Sequence, residues 1–582
     1  MSSRYLINDI AKLLAAAARQ RLALWGREDL AANIILELPS GKGHGDLSTN
    51  IAMMAAGSAG MPPREAAGLL LEDFKGSREL MRFCADIHVA GPGFINFFLS
   101  DAALSSAVAD ALAGGIDYGS GVIDQPESIL LEYVSANPTG PLHAGHARYA
   151  AYGDSLRRIL VFAGHDVTTE FYINDYGTQM QTFGRTLAVR YAELCGREVE
   201  IPEDGYQGEY PVRIARKIRE EIGDSMLEDV VPSAGKEAVD FFKTKGCQLV
   251  LEDMRAILAR FRVSFDNWFS ESGLYQSGEV QAALRMLEEA GETEEREGAM
   301  WLLTSRYGDD KDRVLIRGTG EPTYFTSDIA YHREKISRGY DRLINIWGAD
   351  HHGYVPRMRA AFEALSHDPE KLEIIIGQLV NVIEMGEKKQ MSKRAGTMVT
   401  LEELLDSIGT DAARFFLVER SNDSTLDLDL EKARLQSEEN PVYYVQYAHA
   451  RICSILKRAA EEGIKPAPGG PQEVPAEPAE KKTAGHEVKG MAEPLADQER
   501  ELILKLAEFP RTVRSASDSR GPQRITTYAR ELAAVFHVFY HNCPVIKAAP
   551  ATAAFRLGLC CLVRNVIARS LDLVGVEAPE SM

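Results

Sequence analysis

The stretch Val134-Ser135-Ala136-Asn137-Pro138-Thr139-Gly140-Pro141-Leu142-His143-Ala144-Gly145-His146 decides the fold of this 582-residue chain. It follows an apolar run, residues 129–134, that predicts a β-strand, and it precedes a helical pattern at 147–163 that stops at Gly164. Proline and glycine are typical of a tight turn from strand to helix. Strands alternating with helices predict a parallel, doubly wound sheet, whose ligands bind at the carboxyl ends of the strands.

The two histidines of this stretch predict an anion-binding site at the start of the helix. His143 and His146 are three residues apart, so on a helix their rings face one side and can donate hydrogen bonds to phosphate oxygens. The backbone N–H groups and the dipole of the helix favour an anion there. Gly145 leaves room for a flat base to approach the backbone. A zinc pair or two surface histidines remain open as alternatives, although no third zinc ligand follows at a defined spacing.

A second stretch, Lys388-Lys389-Gln390-Met391-Ser392-Lys393-Arg394-Ala395-Gly396-Thr397, has the composition of a phosphate clamp. It lies between a predicted strand at 379–384 and a predicted helix at 401–405. In such a loop Lys393 would neutralise the charge that grows on a leaving pyrophosphate. The alternative is a solvated basic turn, which is common.

Length and composition bound the class of protein. A chain of 582 residues predicts several domains, and 45% apolar residues with a mean hydropathy of −0.19 exclude a wholly disordered chain and a membrane channel. Seven scattered cysteines without a C-x-x-C pair indicate neither a structural zinc site nor a disulfide framework. Since neither a secretory h-region nor a charge-free apolar span is found, we expect a soluble, cytoplasmic protein.

The rest of the chain predicts further parts. Short strand patterns at 34–38 and 95–99, alternating with helical patterns, predict a small N-terminal α+β unit. Apolar runs at 314–316 and 343–347 predict additional strands of the central sheet. From about residue 400 the pattern is helical, apart from a Pro-, Ala- and Glu-rich stretch whose composition predicts a flexible loop.

The two motifs, in this order around a parallel sheet, resemble the HIGH and KMSKS signatures of class I aminoacyl-tRNA synthetases. His143-Ala144-Gly145-His146 matches with Ala in the tolerant second position, and Gln390-Met391-Ser392-Lys393-Arg394 differs at its first and last residues. Whether Lys388 or Lys389 compensates for Gln390 stays open. The chain resembles the arginyl-tRNA synthetase family in particular, through stretches at 45–50, 91–96, 135–141, 265–271, 323–332, 348–353, 411–415 and 443–451.

The resemblance implies a domain plan and an activity. The plan is an N-terminal additional α+β domain at 1–115, a Rossmann-like parallel-sheet catalytic domain at 116–385 with a helical insertion at about 186–262, the KMSKS loop and connecting helices at 386–438, and an all-helical anticodon-binding bundle at 439–582 with a loop at 465–494. The activity is ATP-dependent ligation of L-arginine to tRNA(Arg) through an arginyl-adenylate, with release of AMP and pyrophosphate. ATP with Mg²⁺ is expected, no structural metal, no membrane partner, and a monomer.

An arginine pocket needs particular residue types. A guanidinium group carries a fixed charge and five donors, so carboxylates and an aromatic or amide partner are expected. Tyr324 and Asp328 are four residues apart and share a face if that segment is helical. By resemblance, Asn137 holds the α-amino group, Tyr324 and Asp328 recognise the side chain, and Glu132 and Ser135 lie nearby. A paired carboxylate inside the sheet (Glu132) and ordinary core packing (Tyr324) remain open as alternatives.

The resemblance also assigns the remaining site residues. The catalytic groups are His143, His146 and Lys393. The ATP site comprises Ala136, Pro138, Gly140, His143, Gly145, His146, Asp350, His351, Met391, Ser392 and Lys393. For Asp350 and His351, a zinc cluster with His352 is the minor alternative.

Three other functions are alternatives to arginine ligation. A catalytically silent tRNA-binding paralogue would have no need of His143, His146 and Lys393. A smaller nucleotidyltransferase would lack the long helical C-terminal part. A cysteinyl enzyme would need zinc-ligand cysteines that this chain does not provide.

The charge of the chain is uneven. The total is −20, which by itself argues against a polyanionic partner. Residues 440–582 nevertheless carry a net +2, so the first 439 carry −22, and we expect RNA to bind through the basic helical end. Tyr528, Phe536, Phe539 and Tyr540 predict either a base-stacking platform or a buried helix stripe.

Overall fold

The computed structural model describes residues 5–32, 34–39, 43–231, 234–389, 399–466 and 494–582. Met391, Ser392 and Lys393 lie outside the described residues, as does most of the loop expected at 465–494, so their roles stay predictions.

The N-terminal part is an α+β unit, as predicted. Its elements are α1 (Leu6–Leu24), α2 (Asp29–Ala32), β1 (Leu47–Thr49), α3 (Ile51–Ala59), α4 (Pro63–Gly76), β2 (Cys84–Ala90), β3 (Phe94–Leu99) and α5 (Asp101–Gly114). The strands form an antiparallel sheet in the order β1-β3-β2. The strand predicted at 34–38 is wrong: this segment makes a single bridge, Glu37 to Ser48, while the Arg511 guanidinium donates to the Leu36 carbonyl. A side chain thus takes a backbone acceptor that a second strand would use.

The centre of the molecule is a parallel sheet, which confirms the predicted fold class. Its elements are β4 (Ser128–Glu132), α6 (Ala144–Ala163), β5 (Asp166–Ile173), α7 (Thr178–Leu194), α8 (Glu209–Ile222), α9 (Leu227–Val230), α10 (Lys236–Arg260), β6 (Asn267–Ser270), α11 (Glu271–Ser277), α12 (Glu279–Glu289), β7 (Thr293–Arg296), β8 (Ala299–Leu302), β9 (Arg313–Ile316), α13 (Tyr324–Ser337), β10 (Arg342–Gly348), α14 (Val355–Ala364) and β11 (Leu372–Gly377).

The order of strands in this sheet, β11-β10-β4-β5-β6, locates the expected binding crevice. The chain runs from β4 outward to β5 and β6, then returns to the other side of β4 with β10. The carboxyl ends of β4 and β10 therefore flank a topological switch point, where ligands of such sheets bind. The His143–His146 turn follows β4 and lies at this point.

One predicted strand belongs to another sheet. The run at 314–316 is a strand, but β9 pairs antiparallel with β8 in a separate sheet of order β7-β8-β9, so its assignment to the central sheet is wrong. The hairpin of β7 and β8 supplies the partner, and Leu302 and Leu315 share the second apolar core. Apolar periodicity identifies such a run as a strand but does not say which strand it pairs with.

The remaining elements connect the sheet to a helical C-terminal part. They are β12 (Val380–Glu384), β13 (Glu387–Lys388), α15 (Leu401–Val418), β14 (Leu426–Asp429), α16 (Leu430–Arg434), α17 (Pro441–Glu461), α18 (Asp497–Ala507), α19 (Phe509–Asp518), α20 (Gln523–Asn542) and α21 (Pro550–Leu573). Among the described residues, α21 is the one helix long and apolar enough to cross a membrane; 67% of its most apolar window is buried, as expected for a core helix of a bundle.

Candidate active site at the carboxyl ends of β4 and β10

The two histidines close the amino end of α6 with their own side chains. His143 is the N-cap: the Gly145 N–H donates to its Nδ1 at 3.1 Å, and the His143 N–H donates to Nδ1 of His146 at 3.2 Å. The ring centroids lie 3.7 Å apart, so the predicted common face is confirmed. Because each Nδ1 accepts a backbone hydrogen, each neutral ring carries its proton on Nε2. The turn therefore presents two imidazole donors beside the positive end of a helix dipole.

The chain enters this turn through a strained backbone. Val134 and Ser135 have φ values of 72° and 36°, in the left-handed region that costs a non-glycine residue about 1–3 kcal/mol. Two hydrogen bonds hold Ser135 in place: its Oγ donates to Glu132 Oε1 at 2.8 Å and accepts from the Tyr172 N–H at 3.3 Å. Backbone strain that is held in place by surrounding hydrogen bonds is typical of functional sites.

Two interacting carboxyl groups of the central domain, Asp328 and Glu271, have raised pKa values. Asp328, on α13, accepts from the Tyr354 hydroxyl at 2.5 Å, and burial, with a contribution from Glu132, raises its pKa to about 7. Glu271, at the start of α11, is 3% exposed; burial, then Asp328 and Asp175, raise its pKa to about 8. Neither makes an ion pair with Lys or Arg in the described part of the chain. The pocket thus has acidic groups matched to a cation that a ligand would bring.

Asn137 and Tyr324, the other predicted arginine contacts, lie at the edge of this pocket. The Asn137 amide donates to Gln179 and accepts from Asn174 Nδ2 at 2.9 Å, so its orientation is fixed on both sides. Tyr324 begins α13, is 59% exposed and has its hydroxyl against Gly177. Ordinary core packing, the alternative for Tyr324, does not describe this position.

Glu132 is paired inside the sheet. Its carboxylate is 5% exposed and accepts from Lys335, which is fully buried, and from Ser135. The alternative of a paired carboxylate therefore describes Glu132, while its interaction with Asp328 keeps it next to the predicted arginine pocket.

The predicted nucleotide contacts surround the same crevice. Asp350 and His351 lie in the 3-10 helix Ala349–Tyr354 after β10, with Asp350 82% exposed at its side chain. Tyr149 on α6 donates to the Gly377 carbonyl at 3.2 Å and so joins α6 to the end of β11. Ala136, Pro138, Gly140 and Gly145 belong to the turn itself. In the described part of the chain no three His, Cys, Asp or Glu side chains form a metal-binding group, so the zinc alternatives lack support there.

The residues that flank 390–398 are tied to the site. After residue 398, the Ala144 N–H donates to the Val399 carbonyl at 3.0 Å and the Leu401 N–H donates to the Leu142 carbonyl at 2.8 Å. Before residue 390, Lys388 is exposed in β13, whereas Lys389 pairs with Glu384 at 2.5 Å. Val399 and Leu401 thus contact the His143–His146 turn and the residue that precedes it.

Some basic residues of the C-terminal helices make contacts between domains. Arg514 pairs with Asp124, Arg520 with Glu373 on β11, and Arg569 with Asp117. These three residues attach the bundle to the rest of the chain, and the expectation that RNA binds through the basic helical end stays a prediction. Among the aromatic residues, Tyr528, Phe536 and Phe539 are core residues, so the buried-stripe alternative holds for them; Tyr540 is half-buried.

Three residues of the site were not singled out from the sequence. Glu271 ends one of the family-like stretches and directly follows β6, so a carboxylate at the end of a parallel strand was an available signal. Tyr354 lies just beyond the Gly348–Gly353 stretch. Lys335 carried no signal, because a lysine in the last turn of a helix is normally solvated.

The described geometry can be set beside known proteins. Three family models match the chain in order: the arginyl-tRNA synthetase N-terminal domain at 5–99, the class I tRNA synthetase (R) catalytic domain at 107–453 and the DALR anticodon-binding domain at 445–582. The arginine–tRNA ligase of Geobacillus kaustophilus is 44% identical over 97% of both chains, and that of Oceanobacillus iheyensis is 42% identical over 95% of both. The arginyl-tRNA synthetase structure from Thermus thermophilus superposes with a TM-score of 0.74 at 22% identity, covering 98% of this chain and 99% of that one.

These matches cover the predicted catalytic core and both flanking parts, and they agree with the motif resemblance at 143–146. The chain belongs to the arginyl-tRNA synthetase family of class I aminoacyl-tRNA synthetases.

Proposed function

We propose that this protein ligates L-arginine to tRNA(Arg) in two steps at the crevice between β4 and β10. The observation that carries the proposal is the pair of interacting carboxyl groups, Asp328 and Glu271. Asp328 also interacts with Glu132, whose carboxylate accepts from Ser135 at the entry to the His143–His146 turn. They offer negative charge to the guanidinium or the α-ammonium group of arginine, while the turn offers donors to phosphate.

The first step forms arginyl-adenylate. The carboxylate of arginine attacks the α-phosphate of ATP, the bond to the β-phosphate breaks, and pyrophosphate leaves. Asp328 and Tyr324 bind the side chain of arginine, and Asn137 binds its α-amino group. Glu132 and Ser135 form the wall of the pocket between these two groups. The enzyme supplies positioning and charge stabilisation and needs no covalent intermediate.

The phosphate side of this step falls to the turn and to the predicted clamp. Nε2–H groups of His143 and His146 donate to phosphate oxygens, and Lys393, aided by Met391 and Ser392, neutralises the leaving pyrophosphate. Ala136, Pro138, Gly140, Gly145, Asp350 and His351 line the nucleotide site. Lys388, exposed on β13, is better placed than the paired Lys389 to compensate for Gln390.

The second step transfers arginine to RNA. The 2′-hydroxyl of the terminal adenosine attacks the activated carbonyl, an ester forms, and AMP leaves. Mg²⁺ arrives with ATP, since this ion is commonly bound through phosphates, waters and few protein carboxylates, and when bound it neutralises phosphate charge. The domain boundaries 1–115, 116–385, 386–438 and 439–582, a monomeric state and a cytoplasmic location complete the proposal.

Charging with arginine and with citrulline tests the proposal. Citrulline has the shape of arginine but a neutral side chain, so it would leave the carboxylate that faces the guanidinium unmatched, and we expect charging at least about 10³-fold less efficient. The measurement is the ester on the terminal adenosine of tRNA(Arg), identified by mass spectrometry, with lysine as a cationic control of different shape. Equal charging of arginine and citrulline, or no arginyl product from folded protein, would contradict the proposal.

A further inference from the structure

Lys335 is a fully buried cation that contacts residues of two neighbouring strands. Its Nζ donates to Glu132 at the end of β4 and, at 2.9 Å, to Asn345 Oδ1 on β10, and it lies 4.3 Å from the ring centroid of Tyr331. Burial of an ammonium ion is costly unless it is paired and hydrogen-bonded. A lysine retained there, two turns of helix beyond Asp328, therefore calls for an explanation.

The contacts of Lys335 join both walls of the arginine pocket. Lys335 and Asp328 belong to α13, whereas Glu132 belongs to β4. The ion pair between Lys335 and Glu132 therefore joins the helix that carries Asp328 to the strand that ends at Glu132. The second oxygen of Glu132 accepts from Ser135, the residue at φ 36° that leads into the His143–His146 turn. One ion pair thus reaches both the pocket and the strained entry to the turn.

A second chain of hydrogen bonds fixes the same helix to β10. Asn345 Nδ2 donates to His332 Nε2 at 2.7 Å, and His332 Nδ1 donates to the backbone carbonyl of Asp328 at 2.7 Å. His332 is neutral, because burial and then the charge of Lys335 lower its pKa to about 3. Lys335 is accordingly the cation of this cluster.

We propose that Lys335 is a positioning residue for arginine binding, acting through Glu132. The ammonium ion of Lys335 neutralises Glu132 and fixes the Glu132 carboxylate, which in turn orders Ser135. Asp328 and Glu271 then remain to receive the positive groups of the ligand. Lys335 itself touches neither substrate. This inference rests on the proposed function, since it takes arginine as the ligand.

A double-mutant cycle tests the inference on the full-length protein. The variants are Lys335→Met, Glu132→Gln and their combination, with Lys371→Met, an exposed lysine of the same domain, as the matched control. Calorimetry measures the Kd of arginine and, separately, of a non-hydrolysable ATP analogue. We expect Lys335→Met to raise the Kd of arginine at least tenfold in the unsubstituted protein but less than threefold in the Glu132→Gln background. The Kd of the ATP analogue should change less than twofold.

Each outcome decides the matter. An arginine Kd within twofold of the parent, an equal loss in both backgrounds, or a parallel loss of the ATP analogue overturns the role assigned to Lys335. If Lys335→Met does not fold, Lys335→Arg, which keeps the charge but alters its position, replaces it in the same cycle with the same criteria. A parent protein that binds ATP analogue but no arginine contradicts the proposed function instead, which separates the two failures.

Discussion

Asp328 helps to raise the pKa of Glu271 to about 8, although the two residues belong to different helices of the central domain. Glu271 is buried directly after the parallel strand β6, and Asp328 is partly buried in α13. Neither forms an ion pair with a lysine or arginine among the described residues. Such an arrangement disfavours the ligand-free ionised state and becomes favourable when a cation enters. The site is therefore matched to a ligand that carries positive charge.

Replacing Asp328 by Asn should weaken the binding of arginine but not that of ATP. A charge-assisted hydrogen bond is worth about 1.5–3 kcal/mol, so we expect the KM for arginine to rise about 10- to 100-fold, with the KM for ATP within threefold. Steady-state charging of tRNA measures both. Glu370→Gln, a substitution at an exposed carboxylate, is the control. An arginine KM within twofold of the parent would remove Asp328 from the pocket.

Arginine affinity should rise with pH. The pKa values of Asp328 and Glu271 are about 7 and about 8, so both groups are largely protonated at pH 6 and ionise as the pH rises to 9. Because cationic arginine binds the ionised form, its Kd should fall over this window, by at most about tenfold per pH unit for each group, and binding near pH 7 should release protons. Calorimetry in buffers of different ionisation enthalpy measures both quantities.

The same two groups predict the pH dependence of the ligand-free protein. Their pKa values are raised on folding, so between the unfolded values, about 4, and the folded values the native state binds more protons than the unfolded state. Stability from these groups is therefore present at low pH and is lost as the pH rises toward 8. In Asp328→Asn the dependence should be weaker. A Kd and a stability that do not change from pH 6 to pH 9 would show that neither group titrates there.

His143 should serve stability and catalysis through different atoms. His143→Asn retains a good N-cap acceptor, so we expect the free energy of unfolding to change by less than about 0.5 kcal/mol, while pyrophosphate exchange falls about 10²- to 10³-fold because a phosphate donor is lost. His143→Ala, which lacks a cap, should lose about 1 kcal/mol as well. Denaturant titration and exchange kinetics separate the two effects. Unchanged exchange in folded His143→Asn would contradict the donor role.

Gly153 allows α6 to pack closely against the strand that precedes the turn. A Cβ at this position would lie 2.3 Å from Cγ of Tyr133, so Gly153→Ala should lower the free energy of unfolding by about 1–3 kcal/mol. Gly68→Ala, in a helix where an added Cβ meets nothing within 4 Å, should raise it by up to about 1 kcal/mol. Denaturant titration of both variants measures the difference. Equal effects would mean that α6 can shift away from Tyr133 without cost.

The site residues divide according to how local their signals are. The spacing of His143 and His146 after an apolar run predicted the turn, because capping and helix periodicity act over a few residues. The fold class followed from alternating strands and helices for the same reason. Residues 314–316, by contrast, were assigned to the wrong sheet, because pairing depends on where the hairpin of β7 and β8 lies in space.

Charge was the least local property and the least predictable. Arg514, Arg520 and Arg569 belong to a basic segment, but their acidic partners lie 390, 147 and 452 residues earlier in the chain. Lys335 likewise has the sequence context of a surface lysine, and only the meeting of α13 with β4 makes it a buried ion pair. Interactions of this kind require the tertiary structure to be known.

ATP–pyrophosphate exchange with each of the twenty amino acids, with and without tRNA(Arg), tests the central claim most directly. Only a ligand with two positive groups and the planar donors of a guanidinium matches the pocket at Asp328 and Glu271, so the account predicts exchange with arginine alone. The family likeness further predicts that exchange requires tRNA. Exchange supported by a different amino acid, or by none with folded protein, would contradict the claim, and exchange with arginine in the absence of tRNA would contradict its second part.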